Sequence, residues 1–506
     1  MLITYGSILR LQLFNYDLPC DNRNGHMYKL KRFYEFLCLL TVEPYLFALM
    51  FVLCLKKVPT DQLIQDKICR HTYGLEAQYC SRLPHMIKTE DYLGMKSRIL
   101  ADSTSFNLYA ILVGTLPAVV ISLFIGSWTD TYGKAKKVVL IANAVTSILE
   151  ALILILNDYF INASSMLPHM LTGGVLAQFT AIWSYIASTT PPHMRAIRMA
   201  FAEVVLGIAV PLGIYMGGLV LNTGTVFTGA DHLYNYSGVF AIIAATYLLA
   251  LLWTVYMVDE ENDIKQWIHL FSKGSDTESG PDIQQTFIKN KLQTFEANKD
   301  KNPLKLLLNV NNVKQMFATC VKRRPNYVRL QIWLLFLSMA CCLIAHIGPM
   351  IFYYQFSQKV YAWDSKVYSN ANAIASIAIT LGTMIIAPIL LKVFKLKDTT
   401  ISLVGLVSYF IKNIVRGVVL TSGGFYYSLI PGCLGGLATV GIRSHFSKII
   451  HSDELGKVFS ALSAIDAFAP LISAAVFTGI FNATMDSMPG LSLIVVALIL
   501  IIPFAI

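Results

Sequence analysis

The sequence predicts an all-α polytopic membrane protein whose twelve transmembrane helices form two six-helix bundles. Three observations predict it. Of the 506 residues 55% are hydrophobic and 14% charged, with mean hydropathy +0.57, whereas a soluble domain is about a quarter charged. Apolar runs of about 20 residues, enough to cross a bilayer, recur along the whole chain. A polar stretch over 258–329 divides these runs into two equal sets.

In chain order the spans fall near 36–55, 106–126, 138–156, 166–187, 199–221 and 237–257, then 330–354, 369–391, 400–420, 425–442, 459–481 and 490–506. The run Met1–Phe14 is interrupted by Arg10 and lacks a small-residue cleavage site, so the first span is expected to act as the insertion signal. The organisation is a cytoplasmic segment 1–35, an N-terminal bundle 36–257 with an exoplasmic loop 56–105, a cytoplasmic linker 258–329 and a C-terminal bundle 330–506. Within the linker, Leu306, Val310, Val313 and Phe317 recur at helical spacing, as in a helix lying on the membrane surface; a flexible connection is the alternative.

Charge asymmetry sets the orientation. Loops 157–165, 222–236, 421–424 and 482–489 contain no Lys or Arg, whereas 127–137 carries Lys134, Lys136 and Lys137, which places the latter in the cytoplasm. The three N-x-S/T acceptors, Asn162, Asn235 and Asn482, then all fall on the exoplasmic side, where glycosylation occurs. The basic residues are dispersed between apolar runs rather than gathered in a stripe, so the net charge of +10 does not point to nucleic acid.

The halves carry matching marks. Arg198 precedes Pro211 in the fifth span by the same interval as Lys457 precedes Pro470 in the eleventh. Two six-span halves with internal repetition suggest the major facilitator superfamily. Between the second and third spans, Gly126-Ser127-Trp128-Thr129-Asp130-Thr131-Tyr132-Gly133-Lys134 fits the superfamily pattern G-x-x-x-D-x-x-G-[RK]. Gly133 permits a tight turn, and Asp130 can cap a helix and pair with a cation. Asp130, Gly133, Lys134 and Arg198 are therefore the expected gating residues.

Charges within spans cost roughly 2.5 to 3.5 kcal/mol each on insertion scales, so each calls for a partner, a cavity or a function. Glu203 and His346 are the candidates for handling a proton, with hydrogen-bonded structural roles as the alternative. Arg443, Lys412 and Arg416 are the candidate anion-binding residues. Asp466 is expected as a structural ion-pair partner for one of these cations. Cys69 and Cys80 share an exoplasmic, oxidising loop and are expected to form a disulfide. The nine cysteines show no metal-ligand spacing. Walker A, G-x-S-x-G and H-E-x-x-H motifs are missing from the sequence, which supports neither ATP-driven transport nor hydrolysis.

Several blocks together resemble the proton-coupled folate transporter family, solute carrier family 46, from Val42 onward. They are Val42-Glu43-Pro44, the Asp130 loop, Arg198-Met199-Ala200 through Glu203 and Gly207, Trp363-Asp364-Ser365-Lys366, and Ile442-Arg443 through Ser447-Lys448. The resemblance implies proton coupling at Glu203, proton access near His346, and substrate and proton affinity at Arg443. The chain departs from the vertebrate folate transporter in carrying Ser188 where that protein has an acid, and in lacking a cysteine within 357–368.

The implied function is symport of protons with a small organic anion, of folate, muropeptide or cyclic dinucleotide type, by alternating access. A non-transporting receptor or scaffold on a transporter fold, and a proton-independent uniporter, are the alternatives. Expected partners are the substrate and the lipid bilayer, without nucleic acid, cofactor or metal; protons are the coupling ion and a monomer suffices for transport. The plasma membrane is expected ahead of the endolysosomal membrane.

Overall fold

The computed structural model describes residues 40–86, 94–132, 134–156, 168, 171–190, 192–224, 234–271, 321–322, 327–392, 397–449 and 452–506. Regular structure among the described residues is helical throughout. The N-terminal half comprises α1 (Glu43–Lys67), α2 (Met95–Thr131), α3 (Ala135–Leu156), α4 (Gly174–Thr189), α5 (Pro192–Leu221) and α6 (Tyr236–Met257). The C-terminal half comprises α7 (Val328–Val360), α8 (Ser365–Lys392), α9 (Asp398–Val418), the three-piece α10 (Ser422–Tyr427, Leu429–Gly432 and Leu437–Ile449), α11 (Ser452–Thr484) and α12 (Leu491–Ile499). Nine of these are long and apolar enough to cross a membrane; α1, α4 and α12 are shorter or more polar. Helices suit these sequences because hydrocarbon offers no partner for backbone N–H and C=O groups, which a helix satisfies internally.

Each half has its own apolar core. Leu46, Leu49, Leu140, Tyr185 and Phe240 cluster in the first, and Phe352, Phe446, Phe477, Phe481 and Leu493 in the second. The matched prolines Pro211 and Pro470 lie inside α5 and α11, as the repeat predicts. Backbones touch where α5 crosses α1. A Cβ on Gly213 would lie 2.4 Å from the Phe51 carbonyl oxygen, and one on Gly217 2.4 Å from that of Leu55. Glycine at both positions is what lets the helices approach so closely.

The segment expected as loop 56–105 is largely helical. α1 continues to Lys67 and α2 starts at Met95. The polar residues that read as solvent-exposed have intramolecular partners: Lys56 pairs with Glu150 at 3.2 Å, Asn107 donates to Asp61 at 3.1 Å, and the Tyr236 hydroxyl donates to Asp66. Hydropathy alone cannot register partners supplied by other helices. Beyond α1, the Cys69–Cys80 disulfide is present and marks what is called here the disulfide end of the molecule; the opposite end is the linker end.

The linker also begins with structure, a helix over Glu260–Phe271 docked on α4. The helix expected at Leu306–Phe317 lies outside the described residues, as does Asn162. The other two glycosylation candidates have hydrogen-bonded side chains. Asn235 is buried at the start of α6, its Oδ1 accepting from Gly238 N at 2.9 Å and its Nδ2 donating to Thr223 Oγ1 at 3.0 Å. Asn482 Nδ2 donates to Ser105 Oγ at 2.9 Å and to the Ala101 carbonyl at 3.2 Å. A glycan attached at either nitrogen would displace these bonds.

Every described hydrogen bond between the halves lies at the disulfide end. Tyr354 and Gln358 of α7 donate to Gln62 of α1. Thr104 of α2 donates to Asn482 of α11 at 2.5 Å. Asn222, just past α5, donates to Ser365 of α8 at 3.1 Å. Toward the linker end the described contacts between halves are apolar or through small residues, as where Gly207 of α5 meets Thr380 of α8.

Candidate functional site

Glu203 and Arg443 come together from opposite halves. Glu203 sits one helical turn before Gly207, so it shares the face of α5 turned toward α8. Its side chain is exposed, and the charged group acting on it is Arg443 of α10, also exposed. The two lie within electrostatic reach across the two bundles without a described hydrogen bond or ion pair, and an acid and a guanidinium so placed can influence each other's charge. The ionised carboxylate partly neutralises Arg443, and a protonated one leaves the cation's field to an incoming anion.

His346 of α7 is engaged within the C-terminal half. Its Nδ1 is 3.1 Å from the Tyr409 hydroxyl of α9, and the two rings are 5.8 Å apart. Which atom donates depends on the imidazole tautomer. Lys412 and Arg416, expected to line the same site, do not join Arg443. Both are buried inside the C-terminal half: Lys412 Nζ lies 4.2 Å over the Tyr409 ring. Arg416 donates from Nε to Ser428 Oγ at 2.7 Å and stacks 4.2 Å over Phe425. Neither cation makes a described ion pair, and the Asp466 side chain expected to pair with one of them lies outside the described residues.

Arg198, expected among the gating residues, lies within the N-terminal half. It is fully buried and donates to Glu43 from Nε at 2.6 Å and from Nη2 at 3.2 Å, while Nη1 donates to Thr189 at 2.7 Å and Thr190 at 3.0 Å. The planar guanidinium thereby ties α5 to α1 and α4 through charge-assisted bonds. Lys134 is exposed; Gly133 and the Asp130 side chain lie outside the described residues.

A second buried network beside it was not anticipated from sequence. Lys136 pairs with Glu260 at 2.5 Å, and Ser188 donates to the same carboxylate at 2.7 Å. Asp263 accepts from Thr41 and Tyr185. Glu260 and Asp263 stand three residues apart in an acidic run at the start of the polar stretch. The available signal was in Lys136 and Ser188 themselves, polar side chains at the ends of apolar runs, which find their acid on the linker helix.

Comparison with known proteins agrees with this architecture. A family model described as Major Facilitator Superfamily matches residues 91–474. Similar proteins include a probable peptidoglycan muropeptide transporter of Drosophila melanogaster, 21% identical over 89% of this chain and 81% of its own length. The proton-coupled folate transporter of Bos taurus is 21% identical over 92% and 91%. A lysosomal proton-coupled steroid conjugate and bile acid symporter of Gallus gallus is 21% identical over 92% and 93%. Among solved structures, the xylose transporter XylE of E. coli in an inward-open conformation has a TM-score of 0.55, 12% identity, and coverage of 91% of this chain and 94% of its own.

Proposed function

The chain belongs to the Major Facilitator Superfamily, and from that premise we propose that it carries a small organic anion across a membrane together with protons. Family and fold are those of membrane transporters rather than enzymes. The observation that carries the proposal is that Glu203 of one half lies within electrostatic reach of Arg443 of the other. Protonation of Glu203 removes the negative charge competing for Arg443, so proton and anion binding reinforce each other; by linkage, bound anion favours the protonated acid. The sign follows: uptake rises as the pH on the loading side falls.

The linker end is assigned to the cytoplasm, on the strength of Lys134, Lys136 and Lys137 against the Lys/Arg-free loops of the opposite end. With the halves hydrogen-bonded at the disulfide end, the described conformation is then one that loads and unloads on the cytoplasmic side. Relatives are named for folate, muropeptides, and steroid conjugates and bile acids, so the substrate belongs among medium-sized organic anions, and both plasma and lysosomal membranes are candidate locations.

Uptake of a panel of such anions by expressing cells, at one neutral and one acidic exterior pH, tests the proposal. Glu203→Gln should lose the pH dependence and retain exchange, since the amide resembles the protonated acid but releases no proton. Arg443→Gln should raise the apparent KM by about tenfold or more, the loss of one charged hydrogen bond. Unchanged pH dependence in Glu203→Gln would refute the coupling role, and unchanged KM in Arg443→Gln the anion site.

A further inference from the structure

Closure at the disulfide end buries two glutamines of α1 and serves them unequally. Near that end α1 turns one face to the C-terminal half: Val58 packs in the apolar core of that half, and Gln62 and Gln65, four and seven residues on, fall on the same stripe. Gln62 is at the centre of a network. Its Nε2 donates to Asp66 at 2.8 Å, and its Oε1 accepts from the Tyr354 hydroxyl and from Gln358 Nε2 of α7, the latter at 3.4 Å. Asp66, which also accepts from the Tyr236 hydroxyl of α6, offers only acceptors when ionised. It therefore fixes which end of the Gln62 amide points toward α7.

Gln65 receives nothing comparable. Its side chain is fully buried, and neither Nε2 nor Oε1 has a hydrogen-bond partner among the described residues. Across the contact, Gln358 gives its Nε2 to Gln62, but its Oε1 is likewise without a partner. A primary amide carries two donor hydrogens and an acceptor oxygen, all of which water satisfies. Closure takes the Gln65 amide out of water without replacing those bonds, which disfavours the closed form; the bonds to Gln62 favour it.

We propose that Gln65 is a positioning residue of the transport cycle, a counterweight that keeps the disulfide end from closing too firmly. When α1 parts from the C-terminal half, the Gln65 amide regains water and the Gln62 bonds to α7 are lost. The two glutamines, three residues apart on one face, act with opposite sign on one equilibrium between closed and open. Without Gln65 the balance moves toward closure, and the protein is held open at the linker end.

The test is the rate at which a membrane-impermeant thiol reagent, applied from the disulfide side, modifies Thr380→Cys, measured over the background of the chain without the added cysteine. Gln65→Leu and Gln65→Met keep most of the volume and remove the amide, so each should slow the modification by about tenfold. Gln62→Leu should speed it. Thermal unfolding of the purified full-length Gln65 variants should give midpoints at or above that of the wild type, which separates tighter closure from poor folding. Unchanged or faster modification in both Gln65 variants would overturn the inference. So would lowered midpoints in both, since the closed form would then be holding Gln65 through bonds to trapped water. Neither readout uses a solute or a change of pH, so failure here is distinct from failure of the Glu203–Arg443 proposal.

Discussion

At the scale of single residues, the Glu43–Arg198 pair is a buried charge constraint that ties α1 to α5. Both partners are buried, and the guanidinium uses its planar fork, which lysine cannot reproduce. Arg198→Ala should therefore destabilise the protein by about 3–5 kcal/mol by leaving Glu43 buried and unpaired, read as loss of folded protein in detergent. Arg198→Lys should recover only part of it, and wild-type stability in Arg198→Ala would contradict the assignment. The sequence displayed both residues in the blocks that carry the family resemblance. It could not display their contact, which spans 155 positions. Lys412 and Arg416 show the same limit: their spacing places them on one face of α9, but the side chains of α7 and α10 decide that the face is buried.

At the scale of elements, the helices were legible wherever apolar runs stood alone, and their ends were not. α1 outlasts its apolar stretch because Gln62, Asp61 and Asp66 find partners on α7, α2 and α6. The close crossing of α5 on α1 yields a stability prediction. Gly217→Val places new atoms against the Leu55 carbonyl and should cost at least the 1–3 kcal/mol or so typical of overpacking. Gly479→Ala, in α11 with nothing within 4 Å of the added carbon, should be neutral or stabilising by up to about 1 kcal/mol. Equal unfolding midpoints for the two variants would contradict the packing. The acidic start of the linker lies within a stretch expected as a flexible connection or, further on, a surface helix; Lys136, Ser188, Tyr185 and Thr41 supply the partners that draw it onto the bundle.

At the scale of the whole molecule, two bundles with largely separate cores can rock because few described polar bonds join them, and those are gathered at one end. Removing these bonds should shift the population toward opening there. Gln62→Ala combined with Asn482→Ala deletes the side chains that bridge α1 to α7 and α2 to α11. A cysteine introduced at Thr380 should then react faster with a membrane-impermeant thiol reagent applied from the disulfide side, and an unchanged rate would contradict the closure. The two-bundle plan was legible from the repeat of spans and the central polar stretch. Which end is closed was not, since that depends on a handful of amide and hydroxyl contacts with no hydropathy signature.

The central claim, that an anion and a proton move together through the Glu203–Arg443 site, is tested most directly by recording substrate uptake and cytoplasmic pH in the same expressing cells. The substrate is the member of the folate, muropeptide and bile-acid panel that the cells accumulate, added outside at acidic pH. The account predicts cytoplasmic acidification in step with uptake by the wild type, and none with Glu203→Gln. Substrate accumulation without acidification in the wild type, or undiminished acidification with Glu203→Gln, would contradict it.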